Sequence, residues 1–215
     1  MTRRFGAIIL SIMGFLTLSA SAWAHPHVSV TARAELLFQN GQVIAVRHAW
    51  TFDKLYSAFI TQGLDQDGDG ALSTAEMHAL AKENTESLVD FDYFTVIKAN
   101  GVKQTFGEPR DYAMSHVDGE VTLTYLLPLK KPPAAARTIG LEVADPTYFV
   151  AFALAQGDDA VTLAGAPSGC VTTITRPKPM DPAQQQNLSE AFFEALTAAS
   201  DFGAQFANRA IVACP

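Results

Sequence analysis

Residues 28–52 read VSVTARAELLFQNGQVIAVRHAWTF, two apolar-alternating runs joined by Asn40-Gly41. Val28, Val30, Ala32, Ala34, Leu36 and Phe38 alternate with Ser29, Thr31, Arg33 and Glu35, the period of a strand with one buried face. Asn-Gly tolerates positive φ at both central positions of a tight hairpin turn, so the second run folds back antiparallel. In that run Ile44, Val46, His48, Trp50 and Phe52 make the apolar stripe. A plain two-residue turn pairs Gln39 with Gln42 and Phe38 with Val43, which puts the two stripes on opposite faces of the ribbon. A β-bulge or an odd-length loop is therefore expected, because either restores a common apolar face.

Working outward, Asn100-Gly101 and Asp118-Gly119 repeat the hairpin signal between runs rich in β-branched residues. Further strands are expected near residues 93–99, 102–106, 110–117, 120–127, 138–144, 147–155, 160–164 and 170–176. That spacing predicts a mainly β protein, an antiparallel β-sandwich. Lys130-Lys131-Pro132-Pro133 opens a loop too short to link domains. Pro177, Pro179 and Pro182 mark the exit from the sheet, and Asp181 caps an expected C-terminal helix running to about Ser200, with Phe192, Phe193 and Leu196 docking it on the sandwich.

Between the second and third strands, at about residues 54–90, the pattern switches to an EF-hand-type helix-loop-helix insertion. Asp65-Gln66-Asp67-Gly68-Asp69-Gly70-Ala71-Leu72-Ser73-Thr74-Ala75-Glu76 has the twelve-residue spacing of a calcium loop. Ca²⁺ is a hard cation that takes oxygen ligands. Asp65, Asp67 and Asp69 supply carboxylates, Ala71 a carbonyl, Ser73 a position for a bridging water and Glu76 a bidentate carboxylate, while Gly70 permits the sharp turn. Leu55 and Phe59 before the loop, and Met77, Leu80, Ala81, Asn84 and Leu88 after it, form the stripes of the flanking helices. Ser73 with Glu76 doubles as a capping box for the second helix. One loop without a second hand points to a structural ion, because calcium sensors open an apolar groove with paired hands.

Residues 1–24 have the parts of a secretory signal: Arg3 and Arg4, an apolar run from Phe5 to Leu18, and Ala22-Trp23-Ala24 as the cleavage site. The apolar run is shorter than the roughly 20 residues that span a bilayer. The expected product is a periplasmic chain, residues 25–215, folded as a single domain and not embedded in the membrane after processing. With 22 acidic against 15 basic side chains the protein carries a formal charge of −7, which disfavours nucleic acid and favours metal ions as partners. Cys170 and Cys214 are the only cysteines, an even pair that reads as a disulfide in an oxidising compartment.

Cleavage after Ala24 places a free amine and an imidazole on His25, with a second imidazole at His27. Amine and ring nitrogens suit copper, nickel or zinc. Pro26 has no N–H to lose, so a square-planar site built on successive deprotonated amides is excluded. His48 and His116, each in a strand among large residues, are the candidates to complete a transition-metal set, although a buried, hydrogen-bonded neutral histidine is the competing state for each. The chain has no G-x-S-x-G elbow, H-E-x-x-H, Walker loop or paired reactive cysteines, so no enzymatic activity is expected.

His25-Pro26-His27-Val28, Trp50-Thr51-Phe52-Asp53, the acidic loop, Phe91-Asp92-Tyr93-Phe94, Gly107-Glu108-Pro109, Asp145-Pro146-Thr147-Tyr148-Phe149, Gly169-Cys170, Arg176-Pro177-Lys178-Pro179 and Phe202-Gly203-Ala204-Gln205-Phe206-Ala207-Asn208-Arg209 together resemble the domain of unknown function 1007 family. The resemblance covers essentially the whole chain after residue 24. It implies a periplasmic component of a transport system, often encoded beside nickel/cobalt-type permeases. The expectation is a metal-binding accessory protein that exchanges Ni²⁺, Co²⁺, Zn²⁺ or Cu²⁺ with an inner-membrane permease and carries one structural Ca²⁺. The alternative is a calcium-stabilised structural or interaction module without a transition metal.

Overall fold

The computed structural model describes residues 28–177 and 207–215. The opening hairpin is β1 (Val28–Gln39) and β2 (Gln42–Phe52). Asn40 and Gly41 adopt φ of 51° and 77°, the left-handed pair that the two-residue turn requires. Gln39 pairs with Gln42 and Phe38 with Val43, then the register shifts so that Leu37 meets Ala45 and Leu36 meets Val46. Ile44 is thus the residue of a bulge beside the turn. It leaves the apolar stripe half-buried, and Val43 enters the core in its place.

The ribbon is the centre of a six-stranded sheet with β5 (Arg110–Val117), β6 (Glu120–Pro128), β8 (Val150–Leu154) and β9 (Val161–Ala164). Its order is β5-β6-β2-β1-β8, and β9 pairs with β1 beyond β8. A second sheet has the order β10-β11-β7-β3-β4, where β3 is Thr95–Ala99, β4 Val102–Lys103, β7 Thr138–Val143, β10 Val171–Thr175 and β11 Asn208–Ala213. The two sheets form a sandwich, with Trp50, Leu36, Leu127 and Tyr125 of one and Ile97, Ile139 and Val212 of the other in a shared core.

One expectation changes, and one strand is added. The second sheet is antiparallel throughout, but β8 and β9 run parallel to β1, so the first sheet is mixed. The chain leaves β7 in one sheet and enters β8 in the other, and a crossing of that kind is not bound to reverse direction as a hairpin is. Residues 208–213, unassigned in the sequence reading, form β11 in the interior of the second sheet, between β10 and β7. The expected C-terminal helix, with Phe192, Phe193 and Leu196, lies outside the described residues, as does the signal segment.

Asn208 joins the sheets. Its buried side-chain amide donates to Phe152 O at 2.6 Å and accepts from Leu154 N at 2.9 Å, spending both of its polar ends on β8. The Cys170–Cys214 disulfide then ties the approach to β10 to the end of β11.

The helical insertion comprises α1 (Lys54–Ile60), α2 (His78–Ser87) and an irregular turn from Leu88 to Phe94. Asp53 caps α1 by accepting from Tyr56 N and also accepts from Ser29 N, so the cap is anchored to β1. Ser57, fully buried, donates to Phe52 O and accepts from Val121 N, seating α1 against β6. Leu55 and Phe59, expected on the packed face, are instead 84% and 67% exposed. α1 is under two turns long and approaches the sheets through Ser57 instead. After the loop, Met77, Ala81 and Leu88 are buried as expected.

Candidate functional site

The loop between the helices brings Asp65, Asp67 and Glu76 together, with one carboxylate oxygen from each within 4.8 Å of the others. The backbone organises the set. Asp65 Oδ1 accepts from Gly68 N and its Oδ2 from Gly70 N, so the chain curls around the first carboxylate. Gly68 and Gly70 adopt φ of 74° and 81°, which a side chain there would resist. Glu76 reaches back across the loop: Oε1 accepts from Gln66 N at 2.9 Å, and Oε2 accepts from Ser73 N and Ser73 Oγ. These donors, those of Ser73 foremost, hold its carboxyl at about 2, well below the ordinary glutamate value.

Asp69 stands apart from the convergent trio, with Oδ1 accepting from Ala71 N at 2.7 Å. Ser73 is engaged with Glu76 through a completed capping box, since Glu76 N also donates to Ser73 Oγ. Regular helix nevertheless starts only at His78. Three carboxylates and no soft donor make a set suited to a hard divalent cation. Asp65, Asp67 and Glu76 would hold such an ion.

The histidines do not assemble. His48 is fully buried. Thr95 Oγ1 gives its single proton to Tyr93 O at 2.7 Å, so its 3.2 Å contact with His48 Nε2 assigns the ring proton to Nε2. Nδ1 then carries the lone pair, packed among Trp50 and Tyr125 with ring centroids 5.2 and 5.1 Å away and no hydrogen-bond partner. Burial pushes its pKa down to about 3, so the ring is neutral. His116 lies opposite Val121 on β6 while His48 lies opposite Tyr125. Four residues along one strand separate the two by about 13 Å, and β6 itself stands between them. No shared ion bridges that gap. Among the described residues neither belongs to a group of three or more potential metal ligands, and His25 and His27 lie outside the described residues. His48 is a core side chain, as the competing state in the sequence reading had it.

A feature the sequence reading missed is a cavity of about 400 Å³ between the insertion, β1–β2 and the 145–150 turn. Trp50, Phe52, Phe91, Phe94, Phe149 and Phe152 line it together with Asp145. Three of the quoted segments, Trp50–Asp53, Phe91–Phe94 and Asp145–Phe149, therefore meet around one space. Their shared richness in aromatic residues was the available signal. Asp92, Tyr93 and Phe94 adopt φ of 50°, 56° and 46°, and Tyr148 58°, left-handed conformations that non-glycine residues seldom take.

The sequence profile described as Protein of unknown function (DUF1007) matches residues 10–214, and the chain belongs to that family. It is also similar to an "Uncharacterized protein" of Haemophilus influenzae, 24% identical over 208 residues that cover 95% of this chain and 98% of the relative.

Proposed function

We propose that this member of the DUF1007 family is a periplasmic metal-binding accessory protein of a transition-metal transport system, with the acidic loop holding one structural Ca²⁺. The observation that carries the calcium part is the approach of Asp65, Asp67 and Glu76 to within 4.8 Å across a twelve-residue loop. Like charges at that distance repel, and a bound divalent cation relieves the repulsion and links α1 to α2. The transition metal is assigned to His25 and His27, to be presented to or received from an inner-membrane permease. This is a binding role and not an enzymatic one.

A second reading, a calcium-stabilised interaction module without a transition metal, is favoured by the burial of His48 and its separation from His116. One pair of measurements tests both. Thermal melts of the exported protein with chelator and with millimolar Ca²⁺ address the loop; an unchanged midpoint, with no heat of binding, rejects it. Calorimetric titration with Cu²⁺, Ni²⁺ and Zn²⁺ addresses the terminus. A Gly inserted before His25 weakens binding if the amine is a ligand, and His27→Ala weakens it if the second ring is. Loss of both effects, with the calcium response intact, leaves the second reading.

A further inference from the structure

The aromatic cavity grades from covered to open. Trp50, Phe52 and Phe152 are 2%, 8% and 7% exposed, whereas Phe91 and Phe149 are 55% and 47% exposed. Phe91 stacks on Phe94 at 5.1 Å and 18°, Phe94 meets Phe152 at 5.4 Å, and Phe152 meets Trp50 at 4.9 Å, so the rings form a continuous wall running inward. Among the described residues the one charged group in the lining is Asp145, 6% exposed, and none of the described lining residues is Lys, Arg or His.

Asp145 takes part in none of the ion pairs among the described residues. Its charge is met by neutral donors: Oδ1 accepts from Thr147 N and Thr147 Oγ1, both at 2.8 Å, while Oδ2 accepts from Val150 N alone, at 2.9 Å. A carboxylate oxygen has two lone pairs, so Oδ2 has capacity for another donor.

We propose that this cavity binds a small organic ammonium ion, a protonated amine with an apolar or aromatic body. Aromatic rings attract a cation through their quadrupole, and a desolvated carboxylate without a countercharge attracts it by Coulomb force. A neutral apolar ligand leaves the buried charge of Asp145 unmatched, whereas an ammonium N–H supplies both an opposite charge and a donor to Oδ2. The protein's formal charge of −7 draws cations toward it. A volume of about 400 Å³ suits a small molecule. The strained residues on both sides, Asp92 to Phe94 and Tyr148, fit a wall held in place for a ligand.

The test uses the exported protein in millimolar Ca²⁺ at pH 7, with Trp23→Phe wherever residues 1–24 are retained, so that Trp50 is its only tryptophan. Phenethylamine and 2-phenylethanol share a body and differ in charge. Trp50 emission is expected to shift on titration with the amine, with a Kd at least about tenfold below that of the alcohol. Phe91→Ala, at an exposed position, is expected to weaken the amine about fivefold through the lost ring. Asp145→Asn is expected to bring amine and alcohol to within about twofold if the turn tolerates it; the comparison in the unsubstituted cavity decides the matter where it does not. Equal or tighter binding of the alcohol overturns the proposal in favour of an uncharged apolar ligand. No emission change with either compound also overturns it.

Discussion

Ser73 and Glu76 hold each other reciprocally: Ser73 N donates to Glu76 Oε2 at 2.9 Å, and Glu76 N donates to Ser73 Oγ at 3.3 Å. The same pair occupies the ninth and twelfth positions of the acidic loop, so the carboxylate that caps the chain toward α2 would also close the proposed cation site. These roles separate experimentally. Ser73→Ala is expected to lower the melting midpoint in chelator by about 2–4 °C, the effect of a lost cap in a protein of this size, while keeping the rise on adding Ca²⁺. Glu76→Gln is expected to abolish most of that rise. A full calcium response in Glu76→Gln contradicts the assignment.

His48 makes stability depend on pH. Its folded pKa of about 3 lies below the ordinary histidine value of 6.5, so the unfolded chain binds more protons between these limits. The neutral ring's contribution is whole above 6.5 and is lost as pH falls toward 3, by about 1.4 kcal/mol per pH unit. Denaturant titrations at pH 6.5 and 5 are expected to show a shallower fall for His48→Phe than for the parent. Equal slopes, or a ring nitrogen spectrum showing protonated His48 at pH 5, sink the idea.

Asn208→Ala removes one acceptor and one donor from a dry site, leaving Leu154 N and Phe152 O without partners. The expected loss is about 2–4 kcal/mol by chemical denaturation. Asn208→Asp keeps the acceptor for Leu154 N but turns a carboxylate oxygen toward Phe152 O, and is expected to be no better. A loss under about 0.5 kcal/mol in Asn208→Ala would show that the sheets are held together without this contact.

Breaking the disulfide with paired serines at Cys170 and Cys214 is expected to cost about 4 kcal/mol in the chain-entropy account, for a sequence separation of 44. Unreduced peptide mapping of exported protein should recover the linked pair. Two free thiols there would contradict the bond, and an unchanged denaturation midpoint in the serine variant would show that β11 is held by its neighbours alone.

Much of the architecture is local and therefore legible in the chain. Positive φ at Asn40-Gly41, Asn100-Gly101 and Asp118-Gly119 depends on residues adjacent in sequence, and so do the Ser73–Glu76 cap and the curl of the loop around Asp65. Even the bulge at Ile44 follows from two stripes that a plain turn would set on opposite faces. By contrast, residues 208–213 show alternating burial, yet their short run of Ala, Ile and Val carries no turn signal that names its neighbours.

The sequence by itself therefore determined the hairpins, the acidic loop, the cysteine pairing and the mainly β class, because each depends on spacing along the chain. Tertiary structure alone decided the rest. It set β8 and β9 parallel to β1, placed β11 between β10 and β7, buried His48 against Thr95 away from His116, and closed Trp50, Phe91, Asp145 and Phe149 around one cavity. Those outcomes depend on which distant surfaces exclude water from one another, and a side chain's charge state and partners follow from that exclusion.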